Sequence, residues 1–385
     1  MGSTFVAKFI KRLGKWLLVL VSIIVLIAIG IYVFLQTPVF GEHPNAEQIK
    51  SFASSPQFNI ETEEFQNRQP EVFAQMRANM SIPTMLAEWF EDRSSGRPEF
   101  LLPEVKPDLE AFLSPSDDTK LIWFGHSSFL INMSGTIIMV DPMFSQVASP
   151  LGLIGQRFQP PVLSLEELPP IDIVLLSHDH YDHLDMGSIR YFANRDISFV
   201  APLGLSSHLR RWGVPETQIV EKDWWETHKI GAVEFIAAPS QHFSGRDGIK
   251  NNSTLWASWI IRSSTSNLYF SGDSGFDTHF KTIGDRYGPF DLALVEDGQY
   301  NPRWPAVHLF PEEAAKASVE LKAERAMPVH WGMFELSYHA WHDPITRFSE
   351  ALAETDVALV TPIIGEIIEI NNGLKTKNWW EDLIQ

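Results

Sequence analysis

Residues 177 to 185 read Ser-His-Asp-His-Tyr-Asp-His-Leu-Asp, directly after the short apolar run Asp172-Ile-Val-Leu-Leu. A run of that length and composition predicts a buried strand. His178, His180, Asp182 and His183 fall within six residues, and all four are good ligands for a borderline-soft divalent cation. A strand that ends in a tight turn can send His178 and His180 to one side and Asp182 and His183 to the other. That arrangement serves two metal ions a few ångströms apart. The plain alternative is a solvated polar loop, and a lone His-x-His would not exclude it. His-x-His-x-Asp-His at a strand end argues for the metal.

Such a site needs more ligands, and three other segments offer them in similar places. His242 follows the apolar run Val233–Ala238, Asp273 follows Leu268–Phe270 within Tyr-Phe-Ser-Gly-Asp-Ser-Gly, and His330 ends Ala-Met-Pro-Val-His-Trp-Gly. Each segment reads strand, then ligand, then turn. Sheets hold groups at strand ends rigidly while the turns stay free to vary, so active sites gather there. Taken singly, each residue also reads as a structural histidine or a capping aspartate.

In chain order these residues resemble the metallo-β-lactamase fold superfamily, over roughly residues 119 to 370. Several runs resemble more narrowly the N-acylphosphatidylethanolamine-hydrolysing phospholipase D branch and its bacterial relatives. They are Trp123-Phe-Gly-His-Ser-Ser, Asp141-Pro-Met-Phe-Ser, the run from Ser177 to Asp185, Asn301-Pro-Arg-Trp, His308-Leu-Phe-Pro-Glu-Glu-Ala and His330-Trp-Gly. The resemblance implies two zinc ions: His178, His180 and His242 on one, Asp182, His183 and His330 on the other, and Asp273 bridging. It favours His308 as general acid and gives Asp182 a part in catalysis as well as in metal binding. His126 would hydrogen-bond a ligand or the substrate, with strand-end hydrogen bonding as the alternative. Asp141 would orient a ligand histidine, and Tyr300, Arg303 and Trp304 would line the pocket. His339 and His342 read as surface residues.

Within that resemblance, the residues present narrow the chemistry. The chain has no cysteine, which excludes a β-lactamase site with a thiolate ligand, and Asp273 argues against the all-histidine kind. Flavodiiron oxidoreductases of this fold carry Glu where His180 stands. A nuclease wants a basic surface, whereas 48 acidic residues here face 30 basic ones. The expectation is a phosphodiesterase of the phospholipase D type acting on a membrane lipid, with a lactonase or other ester hydrolase as the alternative. An inactive membrane scaffold is the remote one. No nucleic-acid partner is expected, and nothing in the sequence specifies an oligomer.

The first fifteen residues hold Lys8, Lys11, Arg12 and Lys15 and no acid. Trp16 to Leu35 then runs twenty residues without a charge, long enough at about 1.5 Å per residue to cross roughly 30 Å of hydrocarbon. With no Ala-x-Ala site after it, the tract reads as an uncleaved anchor rather than a signal peptide. The positive-inside rule puts the N-terminus in the cytoplasm and the catalytic domain outside it.

The chain therefore divides into a basic tail (1–15), an anchor (16–35), a polar, partly helical lead-in (36–118), a hydrolase domain (119–370) and a C-terminal tail (371–385). In the lead-in, Gln69–Ala78 and Met85–Asp92 read as helices, and Met85, Leu86, Trp89 and Phe90 form an apolar patch. Trp379-Trp380 reads as packing or a headgroup contact. In the domain, strands are expected at Leu121–Phe124, Phe129–Ile131, Thr136–Val140, Ile197–Ala201, Val233–Ala238, Trp256–Arg262, Leu268–Ser271 and Asp291–Val295. Helices are expected near Met186–Asn194, Leu205–Trp212 and Pro311–Lys322, the last with Pro in its first turn and acids at its positive end. A second set of elements after residue 225 loosely mirrors the first. The fold class is α/β, an αββα sandwich of two sheets covered by helices.

Overall fold

The apolar runs pair into two seven-stranded sheets in a computed structural model that describes residues 2–79, 96–152, 154–371 and 374–384. The first sheet runs, in spatial order, Ile367–Glu369, Lys120–Trp123, Phe129–Met133, Thr136–Val140, Ile173–Leu175, Ser198–Pro202 and Ile219–Lys222. The second runs Thr227–Ile230, Val233–Ala238, Ser258–Arg262, Asn267–Phe270, Leu292–Glu296, Arg325–Val329 and Ala358–Leu359. In each, the first three pairings are antiparallel and the last three parallel.

Alternate residues on each strand explain why these segments read as continuous apolar runs. Leu121, Trp123, Ile138, Val140, Ile173 and Leu175 face the core shared with Phe235, Ala237, Leu268, Phe270, Leu292 and Leu294 of the other sheet. Their neighbours Ile122, Met139 and Val174 face outward onto the helices Met186–Phe192 and Ser206–Arg211. Ile236, Tyr269, Ala293 and Val295 do the same against His279–Tyr287, Pro311–Glu320 and Asp343–Leu352. Both faces of each sheet are covered, so polar alternation is lost. Four layers result, an αββα sandwich.

The lead-in is less separate from the domain than its polar sequence implies. The expected helix lies at Pro70–Asn79, and an unanticipated helix at Ala46–Phe52 is closed by a capping box between Asn45 and Gln48. Phe52 and Phe65 enter the core between the sheets, which binds 36–79 to the domain by apolar burial. The expected helix Met85–Asp92, with its patch Met85, Leu86, Trp89 and Phe90, lies outside the described residues. At the other end, Trp379 stacks on Trp331 with ring centres 5.5 Å apart. Trp380 is buried beside it, so this pair packs into the protein.

The N-terminal helix spans Gly2–Leu35. Its stretch Lys8–Leu35 is long and apolar enough to cross a membrane, and none of that stretch's most apolar window is buried against the protein.

Candidate metal centre

The strand Ile173–Leu175 ends against both sheets, and the chain is fastened there before the first ligand appears. Ser177 N–H donates to Asp141 Oδ1 at 2.8 Å, and Ser177 C=O accepts from Ala257 N–H at 3.0 Å. Residues 180–184 then close a tight turn, with His183 and Leu184 N–H both bonded to the His180 carbonyl. Asp185 ends it by capping the helix Met186–Phe192 through Gly187 and Ser188 N–H. A turn gripped at both ends presents four side chains at little further cost in conformational entropy.

Two ligand groups form around it. His178, His180, His242 and Asp273 bring ligand atoms within 4.8 Å of one another, and so do His126, Asp182, His183 and His330. Asp273 stands between them. Its Oδ1 lies 3.1 Å from His183 Nε2 and 3.2 Å from His330 Nδ1; its Oδ2 lies 3.6 Å from His178 Nε2 and 3.7 Å from His242 Nε2. One carboxylate oxygen thus faces each group. All seven residues expected as ligands meet here, in the two sets inferred from the resemblance. His126 joins them by bonding Asp182 Oδ2 through Nε2 at 2.9 Å.

The residues fit divalent cations. His178 Nε2, His183 Nε2 and Asp273 Oδ1 are buried without a hydrogen-bond partner, which is costly unless another group satisfies them. Their second nitrogens are held from behind. His242 Nδ1–H donates to the Val307 carbonyl at 2.8 Å, and His183 Nδ1 meets Asp141 Oδ2 at 2.7 Å. Such outer partners fix ring orientation and tautomer, leaving the inner nitrogen to ligate. A set of imidazoles and carboxylates with no thiolate suits zinc or a similar cation.

The electrostatics agree. Burial holds His178 and His242 well below the ordinary histidine range, so both are neutral. Burial would do the same to His183, but the carboxylates of Asp273 and Asp182 outweigh it and hold that imidazole well above its usual value. Asp273 stays ionised against its own burial, through His183 and His330. The carboxylates of Asp273 and Asp182 thus favour positive charge at this place, as a bound cation would supply it.

Over the ligands opens a cavity of about 210 Å³. Its apolar wall comes from Phe243, Trp304, Val307, Leu336 and Met76, the last on the lead-in helix Pro70–Asn79. His308 lines the same cavity, its Nδ1 bonded to Glu296 Oε1, while Glu296 Oε2 accepts from Ser274 N–H. Burial lowers His308 and raises Glu296 well above the usual carboxyl range. Sequence reasoning missed Glu296. Its only signal was an acid closing the apolar strand Leu292–Glu296 beside a candidate site.

Three expectations are corrected. Tyr300 does not line the cavity: its ring stacks on His339 at 4.5 Å, and its hydroxyl donates to Asp343. Arg303, half-buried in the loop where its N–H bonds Asn301 Oδ1, is also absent from the wall. His339 is half-buried rather than freely exposed; its Nε2 accepts from Gln299 N–H at 2.9 Å and burial lowers its pKa. Trp304 does line the cavity. Asp141 Oδ2 lies 2.7 Å from His183 Nδ1, behind a histidine of the expected ligand set.

Residues 136–331 match the model of the beta-lactamase superfamily domain. An uncharacterized protein of Mycobacterium tuberculosis is 37% identical over 292 residues, which cover 74% of this chain and 78% of that protein. N-acyl-phosphatidylethanolamine-hydrolyzing phospholipase D 1 of Caenorhabditis elegans is 32% identical over 269 residues, 65% of this chain and 75% of that enzyme. Among solved structures, the metallo hydrolase Igni18 of Ignicoccus hospitalis superposes with a TM-score of 0.50 at 20% identity, covering 67% of this chain and 99% of its own.

Proposed function

The chain belongs to the beta-lactamase superfamily as a metal-dependent hydrolase, and from that premise we propose a membrane-anchored phosphodiesterase of the phospholipase D type. Its substrate would be a lipid of the N-acylphosphatidylethanolamine class, cleaved to a phosphatidic-acid-type product and an N-acylated amino alcohol. One observation carries the reading: two ligand groups share Asp273 beneath a cavity with an apolar wall. The phospholipase D relative supports the reaction class.

His178, His180 and His242 would hold one zinc and Asp182, His183 and His330 the other, with Asp273 common to both. Bound there, the pair supplies Lewis acidity toward a phosphoryl group and a nucleophilic oxygen from water near neutral pH. The chain's own residues supply the rest. The cavity wall of Phe243, Trp304 and Met76 keeps water from the apolar part of a lipid and orients its headgroup toward the ligands. His308 would hand the leaving alkoxide a proton from Nε2 and take its replacement at Nδ1 from Glu296, whose carboxyl burial keeps protonated. Its Nδ1 is engaged by Glu296, which leaves Nε2 as the nitrogen available to substrate. His126 and Asp141 steady Asp182 and His183 from behind.

The N-terminal helix suits an enzyme whose substrate is concentrated in a bilayer. With four basic residues before it, the expected topology leaves the N-terminus cytoplasmic and the domain on the far side. Protease added outside intact cells, after permeabilising any outer envelope, should then digest the domain. Digestion only after lysis reverses the topology.

The substrate class is tested with purified protein against N-acylphosphatidylethanolamine vesicles, an aryl phosphodiester and an acyl lactone. Release of phosphatidic acid from the lipid is expected. Lactone cleavage without phosphodiester cleavage replaces this reading with the ester-hydrolase one.

A further inference from the structure

Two residues of the turn that carries four ligands are not used for metal. Asp179 and Tyr181 alternate with the ligands and are fastened on the other side. Asp179 Oδ1 accepts from Gly245 N–H at 2.9 Å, and Oδ2 accepts from Thr254 Oγ1 at 3.1 Å and lies 3.4 Å from His208 Nε2. Tyr181 donates its hydroxyl to the Arg246 carbonyl at 2.7 Å, and the Arg246 guanidinium lies 3.9 Å over its ring. Arg246 Nη1 bonds the carbonyls of Asp179 and Leu184, near the two ends of the turn. Arg246 and His208 are both buried, and between them they set where the turn's main chain runs.

The opposite sides of these two residues are met by the segment that leaves the N-terminal helix. Arg246 Nη2 donates to the Val39 carbonyl at 2.9 Å, and Glu42 N–H donates to His208 Nδ1 at 3.0 Å. Trp212 Nε1–H bonds the Pro38 carbonyl at 2.6 Å. His43 closes the contact on Asp247 at 2.8 Å and Ser253 at 3.1 Å. Gly41 between them has φ +72°, and a Cβ there would lie 2.0 Å from His208 Nδ1. The position admits only glycine while His208 stays where Asp179 holds it.

We propose that residues 38–43, the strap between the N-terminal helix and the domain, form a positioning element of the metal turn. The Val39 carbonyl and the Glu42 N–H fasten Arg246 and His208; Arg246 in turn holds the carbonyls of Asp179 and Leu184, and His208 faces the Asp179 carboxylate. Without the strap, buried donors of Arg246 lose their acceptor, and the guanidinium is free to turn away from the carbonyls of Asp179 and Leu184. The ligand side chains would then be presented from a looser turn, with weaker and less uniform metal coordination. The strap follows the helix within a few residues, so the chain's passage out of the helix and the geometry of its metal site are one mechanical unit.

The test uses the full chain in detergent, loaded with Co²⁺, whose visible absorption reports ligand geometry and whose loss to a chelator reports retention. Gly41→Val and Arg246→Met should release Co²⁺ about tenfold faster or more and broaden the absorption band, as outer partners of metal ligands do when lost. Arg246→Lys, which keeps a charge but cannot reach Val39, Asp179 and Leu184 together, should fall between. Trp212→Phe removes the bond to Pro38 and trims the ring that faces Arg246 and His208, and should show a smaller change in the same direction. Asn59→Ala, elsewhere in the lead-in, should match the parent. Parent-like spectra and release in every folded variant at Gly41, Trp212 and Arg246 would overturn the strap's role while leaving the metal centre standing. A parent chain that takes up no Co²⁺ would overturn both, because the inference rests on that centre.

Discussion

The two sheets repeat one pairing order, yet equivalent strand ends carry unequal chemistry. His126 follows Lys120–Trp123 in the first sheet, and His242 follows Val233–Ala238 at the matching place in the second. Asp141 follows Thr136–Val140, and Asp273 follows Asn267–Phe270. After the next strand the halves diverge. Ile173–Leu175 leads into four candidate ligands, while Leu292–Glu296 leads only to Glu296 and, further on, His308. The aspartates are the instructive pair. Both reach His183, Asp141 through Nδ1 at 2.7 Å and Asp273 through Nε2 at 3.1 Å. Asp141 also accepts from Ser177 N–H and Oγ–H, whereas Asp273 Oδ1 has no hydrogen-bond partner. Equivalent strands thus lead, one residue on, to a supporting aspartate in the first half and, three residues on, to an aspartate that faces both groups in the second.

Asp273→Ala should break the comparison outright. It removes the one carboxylate common to both groups, so hydrolysis should fall below detection and metal content should drop with it. Retained activity would show that the centre does not need a shared ligand. His308→Ala should lower turnover by about 10²- to 10⁴-fold, the size of a general-acid contribution, with metal content unchanged. Full turnover in that variant would remove His308 from the chemistry. Asp141→Asn should cost least, about 10- to 100-fold in metal affinity or rate, because it leaves every ligand in place and weakens only the support of His183. If Asp141→Asn proves as damaging as Asp273→Ala, the two aspartates are not support and ligand.

Much of this was legible before any coordinates, because burial on both faces turned the central strands into apolar runs and the ligands sit at their ends. The runs around Thr136–Val140, Val233–Ala238 and Leu292–Glu296 were read nearly to the residue. Edge strands were not. Thr227–Ile230 alternates between exposed and half-buried positions, and Ala358–Leu359 has only two residues. Nor could a local reading see that Ile367–Glu369, from the far end of the chain, completes the first sheet beside Lys120–Trp123. Side-chain direction was the other blind spot. Tyr300 and Arg303 read as pocket residues in the sequence, but the Tyr300 hydroxyl bonds the Asp343 carboxylate and neither residue lines the cavity. His339 reads as a surface residue in the sequence, whereas stacking on Tyr300 leaves its ring half-buried. Glu296 went unread because one acid after four apolar residues resembles any strand end.

The proposed centre takes two metals about the carboxylate of Asp273, and counting them tests that most directly. Elemental analysis of the full chain, purified without chelator, should find close to two equivalents of divalent metal, zinc foremost, and clearly fewer in Asp273→Ala. Trace metal in a preparation that still hydrolyses its substrate at full rate would contradict the dinuclear centre.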